Sequence, residues 1–289
     1  MASILLGTGA AEGIPCVFCT CPTCQRARRK GGREVRTRSS LLLDDTTVID
    51  LGQDALWQLF SVGRDLSRLR HILLTHFHDD HFGISTMICR MCAVPTPTDP
   101  VTVWLSAAAA EQMRAMWARY RPQDAPAGEC DYFARYELAV MEPFVARRVD
   151  ERRVTPLLTD HPGYGIGERG FNYLIETPGA GTFLYAVDTG WYPQETWRFL
   201  TGRRVDGVVM ECTYGDQRLP RRPRQHLDLA AVEEMLHRLE ETGTIDRRTP
   251  VILSHISHLH TASFARTEEL LGRMPYTVRL GYDGMELPF

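Results

Sequence analysis

The chain has 289 residues, 44% hydrophobic and 24% charged, enough for a proper core in one large or two small domains. Its 33 basic and 36 acidic side chains leave a formal net charge of -3, so no global positive field marks nucleic acid as an obligate partner. No stretch approaches the ~20 apolar residues of a spanning helix, and the opening MASILLGTGAAEG lacks an export signal's basic segment and apolar run, so the expectation is a cytoplasmic protein with no membrane partner.

In chain order, residues 3–6 read as a first buried strand, followed by a cysteine cluster at Cys16, Cys19, Cys21 and Cys24. In a reducing compartment this spacing favours metal ligation over disulfides, and Cys19, Cys21 and Cys24 form a CxCxxC that leaves a tetrahedral zinc one ligand short. The basic run Arg26, Arg28, Arg29, Lys30, Arg33, Arg36 and Arg38 has almost no aromatic interleaving. It reads as a solvated, partly structural surface, with phosphate steering as the other use.

Strands follow at 40–43, 47–49 and 71–74, and the last runs directly into THFHDDH at 75–81. His76, His78, Asp80 and His81 thus leave one strand end together, imidazoles and a carboxylate that suit zinc, manganese, iron or nickel. Three His and two Asp within 76–81 are improbable by chance in a chain with 10 His. The apolar run 87–94 reads as helix-like, and its Cys89 and Cys92, like Cys130 and Cys212, are expected to be small buried hydrophobes.

A strand at 101–104 and a helix at 107–120 come next, with 106–150 resembling an insertion. Further strand ends then offer single ligands: His161 in LLTDHPGYG, Asp188 after the strand 183–187, and His255 after the strand 251–253. Taken singly, His161 is an ordinary loop histidine and Asp188 a turn residue. Together with the first cluster they complete a binuclear site, in which a carboxylate such as Asp188 can bridge two cations and activate a water as nucleophile. Helices are expected at 193–200, 227–241 and 262–271, and a strand at 208–210. A second basic group, Arg218, Arg221, Arg222 and Arg224, precedes His226. The class is α/β or α+β in one domain spanning 1–289, without repeats, low-complexity tracts or linkers.

The order THxHxDH, lone His, Asp after an apolar strand, last His resembles the metallo-β-lactamase superfamily over nearly the whole chain. That resemblance implies an αββα sandwich of two mixed sheets with helices outside. It implies that His76, His78 and His161 bind one metal, that Asp80, His81 and His255 bind the other, and that Asp188 bridges. Within the superfamily, LLGTGAAEGIP, CTCPTC, THFHDDH, QHLDL, SHISH and GYDGMEL follow the order of the PhnP-type phosphoribosyl cyclic phosphodiesterases of phosphonate metabolism. This narrower resemblance makes His226 the proton donor to the leaving group, a role its near-neutral pKa suits. It also makes His258 the fourth ligand of a structural zinc with Cys19, Cys21 and Cys24, leaving Cys16 over.

The segment 101–154 looks longer than in those relatives, with Trp117, Tyr120, Tyr132, Phe133 and Tyr136 in or around it, covering the pocket or filling core. No RNA-binding arm is recognisable, which weighs against tRNA processing. The expected function is therefore a binuclear-metal phosphoric diester hydrolase acting on a small, phosphoribosyl 1,2-cyclic phosphate-like substrate, with Asp80 and His226 catalytic. Its cofactors are two divalent metals, manganese or zinc, and one structural zinc. A lactone or thioester hydrolase and a non-catalytic metal-binding protein are the alternatives. A homodimer is suggested only by the resemblance and by the frequency of two-fold assemblies.

Overall fold

The computed structural model describes residues 2–120, 133–164, 167–217 and 225–289. The first half lays down β1 (Ile4–Gly7), β2 (Ser40–Asp44), β3 (Thr47–Ile49), β4 (His71–Leu73), β5 (Val101–Leu105) and β6 (Tyr136–Val140). The second adds β7 (Arg147–Val149), β8 (Arg152–Pro162), β9 (Arg169–Thr177), β10 (Gly181–Ala186), β11 (Gly207–Glu211), β12 (Val251–Ser254) and β13 (Val278–Leu280). A last strand, β14 (Met285–Glu286), returns to pair antiparallel with β1. Two seven-stranded sheets result, ordered β14-β1-β2-β3-β4-β5-β6 and β13-β12-β11-β10-β9-β8-β7.

Each sheet starts with antiparallel neighbours and continues with parallel ones, β3 to β6 in the first and β10 to β13 in the second. Parallel neighbours need a crossover, which helices supply. After α1 (Pro22–Lys30), the first sheet is crossed by α2 (Ala55–Val62), α3 (Ile84–Cys89) and α4 (Ala107–Tyr120), and the second by α5 (Gln194–Leu200), α6 (Leu229–Glu241) and α7 (Phe264–Leu271). The two halves therefore repeat one connectivity without a sequence repeat.

Alternation along the strands sorts aliphatic residues into three layers. Leu41 and Leu43 of β2, with Leu73, Tyr173, Tyr185, Val209 and Ile252, fill the space between the sheets. Leu42, Ile72 and Val103 face Met87 and Met113 of the first helical layer. Leu184, Met210 and Leu253 face Val232, Met235 and Leu236 of α6 in the second. Strands buried on both faces read as unbroken aliphatic runs, which is why most were visible in the sequence. The architecture is the expected αββα sandwich.

The basic run is mainly structural. Arg36 is buried and donates to Thr8 Oγ1 and the Gly281 carbonyl, Arg28 donates to the Cys16 and Cys19 carbonyls, and Arg38 pairs with Asp54 at 3.0 Å. The aromatic residues near α4 fill core rather than cover a pocket: Trp117 stacks on Phe133 at 4.8 Å, next to the buried Tyr136, while Tyr120 is exposed. Residues 107–120 and 136–140 form α4 and β6.

Tyr132, Cys130, Arg218, Arg221, Arg222 and Arg224 lie outside the described residues. Cys212 is buried as expected, but Cys89 and Cys92 are exposed. The expectation of buried thiols fails there because α3 ends at Cys89, and the turn Arg90–Cys92 follows the surface while Met87 supplies the inward contact. Among the described residues, no helix is long and apolar enough to cross a membrane.

Candidate active site

The predicted ligands converge where the parallel strands end at their carboxyl side, the usual position for a site in such sheets. β4 leads to Thr75 and His76, β10 to Asp188, and β12 to His255. Asp50, Asp188 and His255 hold φ of 59°, 55° and 55°. Left-handed backbone on a residue with a Cβ costs on the order of 1–3 kcal/mol, and such strain clusters at functional sites. It turns three side chains back across the sheet edge.

One group consists of His76, His78 and His161. His78 Nδ1 lies 2.9 Å from His76 Nε2 and 3.4 Å from His161 Nε2. His161 reaches this point because the β8–β9 register shifts between Leu158 and Pro162, and such a bulge re-aims a side chain. Burial lowers the pKa of all three imidazoles, keeping neutral lone pairs available.

The second group is Asp80, His81, Asp188 and His255, all buried. Asp188 Oδ2 is 2.6 Å from His81 Nε2 and 3.1 Å from His255 Nε2, and Asp80 Oδ2 is 3.1 Å from His81 Nε2. Despite this proximity, His81 Nε2, Asp188 Oδ2 and His255 Nε2 are buried without a hydrogen bond. An orphaned buried polar atom costs about 1–3 kcal/mol, so three of them facing one point fit a shared cation. Burial alone would lower the His255 imidazole, but Asp188 and Asp80 outweigh it and push it up to about 10. The same balance, with Asp80 and Asp50 leading, raises His81. The carboxylates thus call for positive charge at this point.

The surrounding hydrogen bonds leave the right nitrogens for ligation. Asp50 Oδ2 lies 2.6 Å from His81 Nδ1 and also accepts from the Thr75 hydroxyl, while Asp50 Oδ1 accepts from the Thr75 backbone N–H. Thr213 donates to Glu211 at 2.6 Å, so its oxygen can accept from His255 Nδ1 at 2.8 Å. Both histidines then carry a proton on Nδ1 and present Nε2 inward. Glu211, fully buried, accepts from the Thr189 and Leu227 N–H groups and from His226 Nδ1 at 2.9 Å. Burial works to lower His226, but Glu211 outweighs it and raises its pKa. Asp188 Oδ1 is 3.5 Å from the same His226 nitrogen.

Asp50, Thr75, Glu211 and Thr213 escaped the sequence reading. The two acids carried the same signal as Asp188, an acid closing an apolar strand, in TVID and VVME.

A separate group joins Cys19, Cys21, Cys24 and His258. His258 Nδ1 is 3.6 Å from Cys19 Sγ and 3.5 Å from Cys21 Sγ. The N–H groups of Cys16, Cys21 and Cys24 donate to Cys24, Cys19 and Cys21 sulfurs respectively, while burial pushes the Cys24 thiol up to about 12. Burial opposes charge on Cys21, but the Cys24 N–H, His258 and Cys19 outweigh it and bring the thiol down to about 6. Three thiols and one imidazole at these positions fit a closed tetrahedral zinc site. Only two residues separate His258 from His255, so one loop serves both centres.

A family model described as a beta-lactamase superfamily domain matches residues 42–256. Among solved structures, a new diphosphatase from the PhnP family superimposes with a TM-score of 0.74 at 20% identity, covering 100% of this chain and 97% of that one. Zn(2+)-bound PqqB from Methylobacterium extorquens gives 0.71 at 16% identity, with 100% of both chains covered. At these identities the likeness is one of fold. An octanoyltransferase from Porphyromonas gingivalis is 39% identical over 87 residues, 29% of this chain, and the match spans only 17% of that protein's length.

Proposed function

Since this chain belongs to the beta-lactamase superfamily, we propose that it is a metal-dependent phosphodiesterase that opens a small cyclic phosphate, phosphoribosyl 1,2-cyclic phosphate-like, to a phosphomonoester. The observation that carries this reading is the juxtaposition of two ligand groups with His226, which lies against Asp188 and is held by a buried glutamate. His76, His78 and His161 would hold one divalent cation, and Asp80, His81 and His255 the other, with Asp188 common to both; manganese and zinc both suit such donors. When bound, such a pair supplies an activated water and neutralises charge on the phosphoryl oxygens.

The remaining work falls to the chain. Glu211 commits His226 through Nδ1, so Nε2 is the nitrogen that delivers a proton to the departing alkoxide. Proton donation of this kind is worth about 10²–10⁴-fold. Asp80, kept ionised by His81 and His255 against its burial, accepts a hydrogen bond from the incoming water and orients it. Cys19, Cys21, Cys24 and His258 would hold a zinc that pins the loop carrying His255. The fold likeness to a diphosphatase, an enzyme of phosphate bonds by name, supports phosphorus over carbon as the centre attacked. The short match to an octanoyltransferase favours a second reading, hydrolysis of a lactone or thioester.

The deciding experiment pairs a metal count per chain with hydrolysis of bis(p-nitrophenyl) phosphate and of ribose 1,2-cyclic phosphate. Three metals and turnover of the cyclic phosphate are expected. Release no faster than by Asp80→Ala overturns the phosphodiesterase reading, and turnover of lactones alone establishes the second.

A further inference from the structure

One wall of the site has no task in the chemistry above. The His226 ring is followed by Tyr214 at 5.8 Å and then by His260, 4.8 Å from Tyr214. The wall is built from two segments locked together. Gly215 has a φ of 47°, and a Cβ there would collide with the His260 carbonyl, so the 212–217 turn and the 255–260 loop meet backbone to backbone. Ser257 N–H donates to the Thr213 carbonyl, and Tyr214 N–H to the Leu227 carbonyl.

The wall continues outward as an apolar rim. Leu259, between His258 and His260, is 65% exposed, and Phe18 is 97% exposed. Phe18 precedes Cys19, whose sulfur lies against His258, so the two side chains flank the same cysteine centre. Arg28 clamps the turn that presents Phe18 through the carbonyls of Cys16 and Cys19.

We propose that Tyr214 and His260, extended by Leu259, form the subsite for the leaving group, and that they select an alcohol carrying a planar nitrogen heterocycle. This rests on the phosphodiesterase reading and extends it from the cyclic phosphate, whose leaving oxygen stays on its own sugar, to acyclic diesters that expel a separate alcohol. The leaving oxygen must come within about 2.6–3.2 Å of the nitrogen that protonates it. With Nδ1 of His226 committed to Glu211, that nitrogen is Nε2, and of the rings around His226 it is Tyr214 that belongs to neither metal group and is left for what the oxygen bears. A tyrosine face stacks a planar ring whatever its substituents, and the imidazole edge of His260 adds a hydrogen bond that a plain aryl group does not use.

The test compares two diesters that share a thymidine 3′-phosphate and differ in the second alcohol, thymidylyl-(3′→5′)-deoxyadenosine and thymidine 3′-methyl phosphate, and scores only the turnover that releases that second alcohol together with thymidine 3′-phosphate. With metal-loaded enzyme, kcat/KM is expected to favour the nucleoside leaving group by about 10-fold or more, the range that stacking on one ring provides. Tyr214→Leu and His260→Ala should each collapse that ratio toward one, chiefly through KM, with metal content and melting temperature like the parent. Equal use of both diesters by the parent overturns the subsite, as does an unchanged ratio in the variants or an equal slowing of both substrates. Hydrolysis by the parent of neither diester and not of ribose 1,2-cyclic phosphate overturns the phosphodiesterase reading itself. Equilibrium dialysis with deoxyadenosine then still decides the wall: binding weakened about fivefold or more by His260→Ala keeps it as a nucleoside site, and no binding removes it.

Discussion

Nε2 of His81 stands 2.6 Å from Oδ2 of Asp188, both buried, and no hydrogen bond joins them. A cation shared by the two would account for their closeness. Divalent cation should therefore raise stability by about 3 kcal/mol per site when free metal is about 100 times Kd. Melting curves with and without a chelator measure this. Asp188→Ala should abolish the shift from the His/Asp centre, and an equal shift in that variant would contradict the shared role of Asp188.

His226 and Glu211 should matter in proportion to the basicity of the leaving group. A diester expelling an alkoxide needs the proton, whereas p-nitrophenolate leaves without it. His226→Ala is expected to slow an alkyl diester by about 10²–10⁴-fold and bis(p-nitrophenyl) phosphate far less. Glu211→Gln should follow the same pattern more weakly, since the glutamate acts by holding Nδ1. Equal losses on both substrates would place these residues in binding instead.

The low pKa of Cys21, about 6, predicts a reactive thiolate at neutral pH once the cysteine centre is stripped of metal. Alkylation followed by peptide mapping should label Cys21 faster than the buried Cys212 in stripped protein, and zinc should protect it. Cys21→Ser should lose one zinc per chain while keeping the His/Asp metals. Loss of all metals together would show the two centres to be inseparable.

Far from the site, Arg152 is buried and contacts Asp44 at 2.6 Å. Burial works to raise the Asp44 carboxyl, but Thr46 and Arg152 outweigh it and hold it below its usual range. A carboxylate depressed in the folded state contributes stability that is present above its unfolded pKa, about 3.9, and lost as pH falls through the folded value. Arg152→Ala should cost about 2 kcal/mol at pH 7. Its denaturant midpoint should also fall less steeply than the parent's between about pH 4 and 2. Parallel curves would assign the loss to packing.

What was legible followed the chain's own adjacency. His76, His78, Asp80 and His81 announce themselves because four donors share one loop, and buried aliphatic strands such as Leu41 to Leu43 read directly. Strand β8 was missed because RRVTPLLTDHP mixes charge, a proline and apolar residues. Pro156 is tolerated there because β7 pairs only with Arg152 to Val154, and the next contact on that edge, from the Phe144 N–H, uses the Pro156 carbonyl rather than a donor that proline lacks. Helix α1 was hidden by its basic surface, although Cys21 caps it and Pro22 opens it. Glu211 and Asp50 showed in the sequence only as acids closing apolar strands; their roles stayed hidden because their partners, His226 and His81, come from other segments that only the folded sheet edge brings together.

The duplicated connectivity also bears on how the protein is made. Each metal group draws on both halves of the chain, His76 and His78 with His161, Asp80 and His81 with His255. A nascent chain that has emerged only as far as β6 holds half of each centre, and neither half can retain a cation well. On the metal-dependent reading, capture of the ions would wait until the second sheet has docked, and a cut between the halves or a failed docking would leave both His/Asp groups incomplete.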